Sequence, residues 1–225
     1  MKVLITGTSS GIGKALAKKY LDAGHTVYGI SRSNTWKSKS TNFTWIPGNL
    51  TDRSTFNLSK RINESYLDRI ICNAGSFSEN ACEFNEAHNQ IVLQLQNRLT
   101  KSSRIIQISS IFHIANGDYL RHISPTYHAY CKSKQMQIDW CSIWNRCSNI
   151  EAVAIHPGAV KTKLFSDLYF FKYFADLVTI TPETSAQLMY DLIEQEVKND
   201  VVQEKDQKKP DSFTWNITKP FLLSK

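Results

Sequence analysis

Short apolar segments alternate with segments of helical periodicity along most of the chain, and this alternation limits the possible folds more than any other feature. The expected strands are Lys2–Thr6, His25–Ser31, Phe43–Ile46, Arg69–Asn73, Arg104–Ser109 and Glu151–His156. The expected helices are 12–23, 53–65 after Asp52, 78–101 with Ser78 as N-cap, 127–146 and 183–198. Parallel strands need crossover connections, so this order predicts an α/β fold: one domain with a doubly wound parallel sheet and helices on both faces.

The sequence TGTSSGIG, from Thr6 to Gly13, joins the first expected strand to the first expected helix. Such a connection directs unpaired backbone N–H groups and the positive end of a helix toward a phosphate. Gly7 permits a sharp turn, Gly11 permits close approach to a pyrophosphate, and Gly13 permits close helix–sheet packing. The segment is not a P-loop, because Thr8 stands where that motif needs glycine.

Four further motifs follow: CNAG (Cys72–Gly75), ISS (Ile108–Ser110), YCKSK (Tyr130–Lys134) and HPGAVKT (His156–Thr162). With the glycine turn, they resemble the short-chain dehydrogenase/reductase family, whose motifs include TGxxxGxG, NNAG, YxxSK and PGxVxT. The first residue of CNAG departs from this pattern. The resemblance extends over about residues 1–195 and implies a Rossmann-type oxidoreductase that uses a nicotinamide dinucleotide.

The resemblance implies a catalytic Tyr-x-x-x-Lys pair, which Tyr130 and Lys134 satisfy, whereas Cys131 stands four residues after Tyr127. Residues four apart share a helix face, so the phenol and the ammonium converge on one ligand. A free tyrosine has a pKa near ~10, and lowering it by three units requires about 4 kcal/mol. A cation about 4 Å away supplies on the order of 4 kcal/mol at an effective dielectric near 20. Lys134 is therefore expected to lower the pKa of Tyr130 and prepare it as general acid/base.

The resemblance also implies a serine that holds the substrate oxygen and a fourth catalytic residue, an asparagine on the helix before the fifth strand. Ser110 is the serine predicted for this role, and Ser109 is the neighbour that a one-residue error would select. Asn80, Asn85 and Asn89 compete for the asparagine role. The helix length needed to run back beside the fifth strand favours Asn85, with Asn89 close behind.

The motifs also supply the expected cofactor contacts. These are Gly7, Ser9, Ser10, Gly11, Ile12, Gly13, Arg32, Asn49, Leu50, Asn73, Ala74, Gly75, Tyr130, Lys134, Pro157, Gly158, Val160 and Thr162. Residues 23–51 contain no Asp or Glu, although an acid after the second strand would accept hydrogen bonds from a free ribose 2′-OH. Arg32 stands directly after that strand, and arginine matches phosphate geometry. The sequence therefore predicts NADP(H) in preference to NAD(H).

Residues 162–181 include the aromatic-rich stretch KLFSDLYFFKYFADLV. In the family this stretch folds over the substrate, so it is expected to be a substrate-covering segment that suits a bulky apolar carbonyl. A core helix or a dimer face is an equally supported interpretation. Features of the motifs are similar to the retinol-dehydrogenase-like/carbonyl reductase branch, which also favours a lipophilic carbonyl. Residues 198–225 are expected to be a C-terminal tail.

Composition excludes several other classes of protein. The 225 residues are 41% hydrophobic and 21% charged, as in a soluble globular domain. Five cysteines without CxxC spacing and six histidines without ligand spacing predict neither a disulfide framework nor a metal site, and they favour a reducing, cytoplasmic location. No apolar run approaches the ~20 residues of a membrane span. The net charge of +7 is scattered and accompanies no nucleic-acid-binding motif.

The sequence thus predicts an NADP(H)-dependent oxidoreductase that interconverts a carbonyl and an alcohol, with reduction as its working direction. A catalytically inactive NADP(H)-binding sensor or scaffold is the alternative. A dehydratase or epimerase acting on a nucleotide sugar is disfavoured, because a sizeable C-terminal substrate domain is lacking. The resemblance also implies a homodimer or homotetramer that pairs through helices 78–101 and 127–146.

Overall fold

The structure is a computed structural model that describes residues 1–36, 40–52, 58–110, 112, 122, 124–166, 179–194 and 214–216. Its strands are β1 (Lys2–Thr6), β2 (Thr26–Ser31), β3 (Phe43–Pro47), β4 (Leu67–Cys72), β5 (Leu99–Ile108), β6 (Glu151–His156) and β7 (Thr214–Asn216). Its helices are α1 (Gly11–Asp22), α2 (Ala81–Leu95), α3 (Pro125–Cys147), α4 (Lys163–Ser166) and α5 (Pro182–Glu194). Short 3₁₀ turns occur at Leu58–Lys60 and Gln96–Arg98.

The strands form one parallel sheet in the order β3-β2-β1-β4-β5-β6-β7. The chain builds outward from β1 to β3, and it then returns to the other side of β1 to begin β4. The order therefore reverses between β1 and β4, which is where a doubly wound sheet opens a crevice for ligands. This arrangement confirms the predicted fold class.

Two apolar layers cover the two faces of the sheet. Ile91, Val92, Leu95, Ile138 and Cys141 bring α2 and α3 onto one face. Leu16, Tyr20, Ala186, Met189 and Ile193 bring α1 and α5 onto the other. Because both faces are covered, the central strands read as continuous apolar runs: Val3 and Ile5 face one layer and Leu4 faces the other.

The boundaries around α2 differ from the sequence expectation. The helix follows Asn80 rather than Ser78 and ends at Leu95, six residues earlier than expected. The fifth strand begins at Leu99 rather than Arg104, because Leu99 pairs with Leu67 of β4 across a register shift. This long-range pairing places the polar residues 100–103 in a strand that their composition does not suggest.

Three other predictions of secondary structure agree with the structure only in part. Leu58–Lys60 is a 3₁₀ turn rather than part of a helix over 53–65, and residues 53–57 lie outside the described residues. The segment 198–225 was expected to be a tail, but Thr214–Asn216 pairs in parallel with β6 as the seventh strand. The helix expected at 183–198 is observed over Pro182–Glu194, and residues 195–198 lie outside the described residues.

The two ends of the expected covering segment are joined at the sheet. Val160 forms a parallel bridge with Ile180, the Lys161 amide donates to the Ile180 carbonyl at 2.9 Å, and the Ile180 amide donates to the Ala159 carbonyl at 2.9 Å. Residues 167–178 of this segment lie outside the described residues.

A buried ion pair ties α1, α5 and β4 together. The Arg69 guanidinium donates to both Glu194 carboxylate oxygens, from Nε at 3.1 Å and from Nη2 at 2.8 Å. The Tyr20 hydroxyl donates to the same carboxylate at 2.5 Å. Only about a tenth of either charged side chain is exposed, so this network contributes to stability through groups that are costly to leave unpaired.

Candidate active site

The glycine turn after β1 is tightly built against β4. Gly7 has φ 79° and Gly11 has φ 55°, a backbone conformation that other residues adopt with strain. A Cβ atom on Gly13 would lie 2.3 Å from Asn73 Nδ2 and 2.5 Å from the Gly7 carbonyl oxygen. Close packing thus requires glycine at position 13, whereas at positions 7 and 11 the positive φ also favours glycine.

This turn leads into the amino end of α1, which fits a phosphate. The Ser10 side chain makes no capping hydrogen bond to the helix, and the Lys14 amide makes the first helical bond, to the Ser10 carbonyl at 3.3 Å. The preceding amides of the helix have no partner within it, and they carry the positive end of its dipole. A Cβ on Gly11 would lie 3.3 Å from the Thr162 side chain, so glycine at this position leaves the space between the turn and Thr162 open.

Thr6 connects the glycine turn to the CNAG motif. Its hydroxyl oxygen accepts hydrogen bonds from the amides of Asn73 and Ala74, both at 2.9 Å. The Asn73 side-chain amide donates back to the Thr6 carbonyl at 2.9 Å. Gly75 follows, and a Cβ there would lie 3.9 Å from Lys134 Nζ. The ends of β1 and β4 therefore form one hydrogen-bonded floor at the switch point.

The loop after β2 lies against the same turn. Trp36 Nε1 donates to the Thr8 carbonyl at 3.2 Å, and Thr35 Oγ1 donates to the Ser9 carbonyl at 2.7 Å. Lys14 Nζ reaches the Thr35 carbonyl at 3.4 Å, and Arg32 is exposed at the start of the loop. Two cations thus border the predicted position of the adenosine ribose.

Asn49 and Leu50, the residues predicted to border the adenine, lie just beyond the end of β3. Asn49 Oδ1 accepts from the Thr51 amide and hydroxyl, and Leu50 is buried. A cleft of about 680 Å³ opens beside them, bounded by Leu50, Thr51, Ala87 and Ile91. Of the two predicted residues, Leu50 therefore borders open space next to α2.

Tyr130 lies on α3 with its phenol next to Ser110. Its side chain is only 6% exposed, and the rings of Phe77 and Phe112 lie edge-on to it at 5.4 and 6.0 Å between centroids. Burial raises the pKa of Tyr130 to about 12, and a hydrogen bond from the Ser110 side chain opposes this rise. The structure therefore brings the predicted serine and tyrosine together and keeps the phenol protonated.

Lys134 lies one turn along α3, on the same side as Tyr130. Its ammonium donates to the Ile108 carbonyl at 3.0 Å and to Gln137 Oε1 at 3.2 Å, and it lies 5.4 Å from the centre of the Tyr130 ring. Burial lowers the pKa of Lys134 to about 8. The expected lowering of the Tyr130 pKa is not found in this structure, because desolvation of the phenol dominates and the ammonium faces the ring and two other acceptors.

Hydrogen bonds separate the residues that the sequence left as alternatives. Ser109 Oγ donates to the Lys134 carbonyl and so supports α3, whereas Ser110 faces the phenol.

Asn85 is buried, and its Nδ2 donates to the Ser133 carbonyl at 2.6 Å. Asn89 instead accepts from Trp144 Nε1 at 3.3 Å, farther along the helices. Of the competing asparagines, Asn85 contacts the α3 turn that carries the tyrosine and lysine.

The HPGAVKT motif completes the rim of the crevice. Gly158 has φ 80°, and Pro157 accepts a hydrogen bond from Ser185 through its carbonyl at 3.3 Å. Val160 is buried in its bridge to Ile180, and Thr162 returns to Gly11 as described above. Residues from all five motifs therefore meet at the carboxyl edge of the sheet.

Sequence reasoning missed His88. This residue is fully buried, and its Nε2 lies 2.9 Å from Thr6 Oγ1. A signal was present: Asn85, His88, Val92 and Leu95 recur at the spacing of one buried helix face, so two polar residues occupy positions where apolar ones are expected. Buried polar residues of this kind need specific partners.

Comparison with known proteins shows which family the chain belongs to. The family described as short chain dehydrogenase matches residues 1–169. The chain belongs to the short-chain dehydrogenase family. As an oxidoreductase of this family, it is 27% identical over 186 residues to an uncharacterised oxidoreductase of Emericella nidulans, with 73% of this chain and 72% of the relative covered. It is 27% identical over 221 residues to a fatty acyl-CoA reductase of Acinetobacter baylyi, with 83% and 70% covered.

Solved structures of short-chain dehydrogenases share the fold. An NADPH-bound carbonyl reductase from chicken fatty liver superposes with a TM-score of 0.67 at 22% identity, covering 85% of this chain and 90% of that one. This neighbour therefore binds a nicotinamide dinucleotide. Across the described ranges, no helix is both long and apolar enough to cross a membrane. The same ranges contain no group of three or more His, Cys, Asp or Glu side chains that could hold a metal ion.

Proposed function

We propose that this protein reduces an apolar carbonyl compound to an alcohol with NADPH, and that Tyr130 is the proton donor. The observation that supports this most directly is the contact between the Ser110 and Tyr130 hydroxyls, one helical turn from Lys134. These groups lie at the carboxyl edge of the sheet, beside a turn that fits a dinucleotide. When bound, the cofactor supplies the hydride.

The protonation state of Tyr130 favours reduction. A phenol with a pKa of about 12 is protonated throughout the physiological range and can donate to a carbonyl oxygen as that oxygen gains negative charge. Ser110 is placed to donate a second hydrogen bond to the same oxygen. The Lys134 ammonium, nearby in a buried site, favours negative charge developing on the phenol after the proton leaves. Reduction therefore begins from the form that the structure stabilises.

The positions of Lys134 and Asn85 support a shared role in holding α3. Lys134 is anchored by the Ile108 carbonyl and Gln137, and Gly75 leaves room beside its ammonium for a ribose. Asn85 fixes the Ser133 carbonyl, immediately before Lys134, from the neighbouring helix. We assign Lys134 to the nicotinamide ribose and Asn85 to the support of the turn that presents it.

The charge around the loop after β2 supports NADPH over NADH. Arg32 begins this loop, Lys14 reaches its Thr35 carbonyl, and residues 23–51 contain no acidic side chain. A 2′-phosphate would meet two cations here, whereas a free ribose 2′-OH would find no carboxylate in this stretch. Arg32→Asp is expected to weaken NADPH binding by at least tenfold while leaving NADH binding within threefold.

The rings around Tyr130 support an apolar substrate. Phe77 contacts Tyr130 and also Tyr127, whose ring centroid lies 4.8 Å away. Phe112 contacts Tyr130 from the loop after β5. Two aromatic side chains from separate segments therefore cover the Tyr130 ring with apolar surface, and Tyr127 extends this surface on the far side of Phe77. Such a surface suits a flat or bulky apolar group next to the carbonyl.

The same enclosure also supports the alternative of a catalytically inactive NADP(H)-binding sensor. The phenol is almost wholly covered, and the lysine ammonium is already engaged by two acceptors. We further propose a cytoplasmic location and pairing through α2 and α3, whose outer faces expose Leu93 and Ile143.

Turnover separates these possibilities. NADPH oxidation should be measured with a panel of aromatic, cyclic and long-chain aldehydes and ketones. Carbonyl-dependent oxidation at saturating NADPH that falls at least 100-fold in Tyr130→Phe is the expected result. Tight NADPH binding without turnover on any carbonyl would instead establish the sensor. Turnover unaffected by Tyr130→Phe would refute the assigned proton donor.

A further inference from the structure

His88 and Asn85 extend from one face of α2 to the two halves of the site. Asn85 reaches the Ser133 carbonyl of α3, and His88, three residues later, reaches the Thr6 hydroxyl at the end of β1. Both side chains are at least 97% buried. The histidine is therefore in direct contact with the floor on which the proposed dinucleotide would lie.

The hydrogen bonds of Thr6 determine which nitrogen of His88 carries the proton. A hydroxyl has one hydrogen to donate and two lone pairs to accept with. Both lone pairs of Thr6 Oγ1 are used by the amides of Asn73 and Ala74, at 2.9 Å each. The hydroxyl hydrogen must therefore point to His88 Nε2, so Nε2 is an acceptor and the neutral ring carries its proton on Nδ1.

A second observation shows that the Thr6 bond is the specific contact of this ring. His88 Nδ1 is buried and has no hydrogen-bond partner among the described residues. A buried donor without a partner destabilises the structure, so among the described residues the Thr6 hydrogen bond is the polar contact that favours a histidine at this position. Burial, together with the Lys134 ammonium, lowers the pKa of His88 to about 3, so the ring stays neutral when the protein is folded.

We propose that His88 is a positioning residue for the dinucleotide: its Nε2 orients the Thr6 hydroxyl so that both lone pairs bind the Asn73–Ala74 backbone beneath the glycine turn. The inference rests on the proposed use of a nicotinamide dinucleotide. Without the imidazole acceptor, the buried hydroxyl hydrogen has no partner, and rotation of the Thr6 side chain toward another acceptor breaks a bond with one of the two amides. Asn73 also packs its side-chain amide against Gly13 and Gly7, so movement of this backbone changes the turn itself.

The test compares variants that differ in the acceptor at this position. His88→Leu fills the space without an acceptor, and His88→Gln restores an oxygen near the position of Nε2. The dissociation constant for NADPH, measured by the change in its fluorescence, is expected to rise about tenfold in His88→Leu and to return to within threefold of wild type in His88→Gln. Thr6→Val removes the hydroxyl and should weaken binding similarly.

A double variant tests whether the two residues act together. His88→Leu combined with Thr6→Val is expected to bind NADPH no more than twofold more weakly than Thr6→Val alone, because the imidazole acts through the hydroxyl. Independent, multiplied losses would overturn the proposal. So would an unchanged dissociation constant in a folded His88→Leu protein.

The tautomer provides a readout that requires no cofactor. Nitrogen chemical shifts of the His88 ring should show a proton on Nδ1 and none on Nε2 from pH 5 to pH 8, without titration in this range. A proton on Nε2, or titration near the usual histidine pKa, would overturn the inference even if NADPH binds. If the wild-type protein bound neither NADPH nor NADH, the proposed function itself would be refuted. Failure of the proposed function can therefore be distinguished from failure of the inference about His88.

Discussion

Replacing Gly13 by alanine tests how tightly the glycine turn is built. Gly13 lies in α1 without a positive φ, so helix propensity alone predicts that alanine stabilises the helix by about 1 kcal/mol. The added Cβ would lie 2.3 Å from Asn73 Nδ2 and 2.5 Å from the Gly7 carbonyl oxygen, about 1 Å inside ordinary contact. Neither atom can move freely, because the Asn73 amide is bonded to the Thr6 carbonyl and the other belongs to the backbone.

Relief of this clash requires α1 to move away from the end of β4. Overpacking of this kind costs about 1–3 kcal/mol, so after the gain in propensity Gly13→Ala should lower the free energy of unfolding by up to about 2 kcal/mol. The same movement displaces the amides that are proposed to face the dinucleotide. The dissociation constant for NADPH should therefore rise at least tenfold, which corresponds to about 1.4 kcal/mol.

Gly24→Ala is the matched control. Gly24 has φ 79°, but a Cβ there meets nothing within 4 Å, so the cost comes from backbone strain of about 1 kcal/mol alone. Urea unfolding should show similar losses of stability in the two variants, while a fluorescence titration with NADPH should show weaker binding only in Gly13→Ala. A Gly13→Ala protein that is more stable than wild type and binds NADPH equally well would refute the packing argument.

Three further predictions concern stability, pH and specificity. Glu194→Gln should lower the free energy of unfolding by about 3 kcal/mol in urea titrations, because it leaves the buried Arg69 guanidinium without its counter-charge. Asp22→Asn, which removes the charge from an exposed pair, should change that free energy little. The rate constant kcat/KM for carbonyl reduction should fall above about pH 8, because burial lowers the pKa of Lys134 to about 8 and the side chain then loses its proton. Lys134→Arg should abolish that decline. A decline at the same pH in the arginine variant would count against this assignment. Phe77→Leu should reduce kcat/KM at least fivefold for aryl aldehydes and less than twofold for propanal, since the ring contacts Tyr130; equal losses for both substrates would indicate a general defect.

Local features of the sequence predicted much of the site. The four-residue spacing of Tyr130 and Lys134 determines their common side on any helix, and the glycine turn determines how β1 meets α1. The topology then brings Asn73 to Thr6, since both follow adjacent parallel strands. These parts could be anticipated because each depends on neighbouring residues or on the order of the strands.

Other parts depend on contacts between distant segments. The early start of β5 follows from the pairing of Leu99 with Leu67, and β7 forms because Thr214–Asn216 meets the edge of β6. The pKa of Tyr130 depends on rings from two other loops, which the spacing to Lys134 does not reveal. Desolvation is a property of the assembled site, so the sign of this pKa shift could not be read from the sequence.

The bridge between Val160 and Ile180 has an evolutionary consequence. Because backbone hydrogen bonds hold the two ends of the intervening segment together at the sheet, the entropy of closing that loop depends only weakly on its length. Changes in the length of the chain between these ends should therefore cost little stability. If the proposed function holds, substrate preference can diverge by replacement of this segment while the assigned proton donor and the floor at the switch point are inherited unchanged.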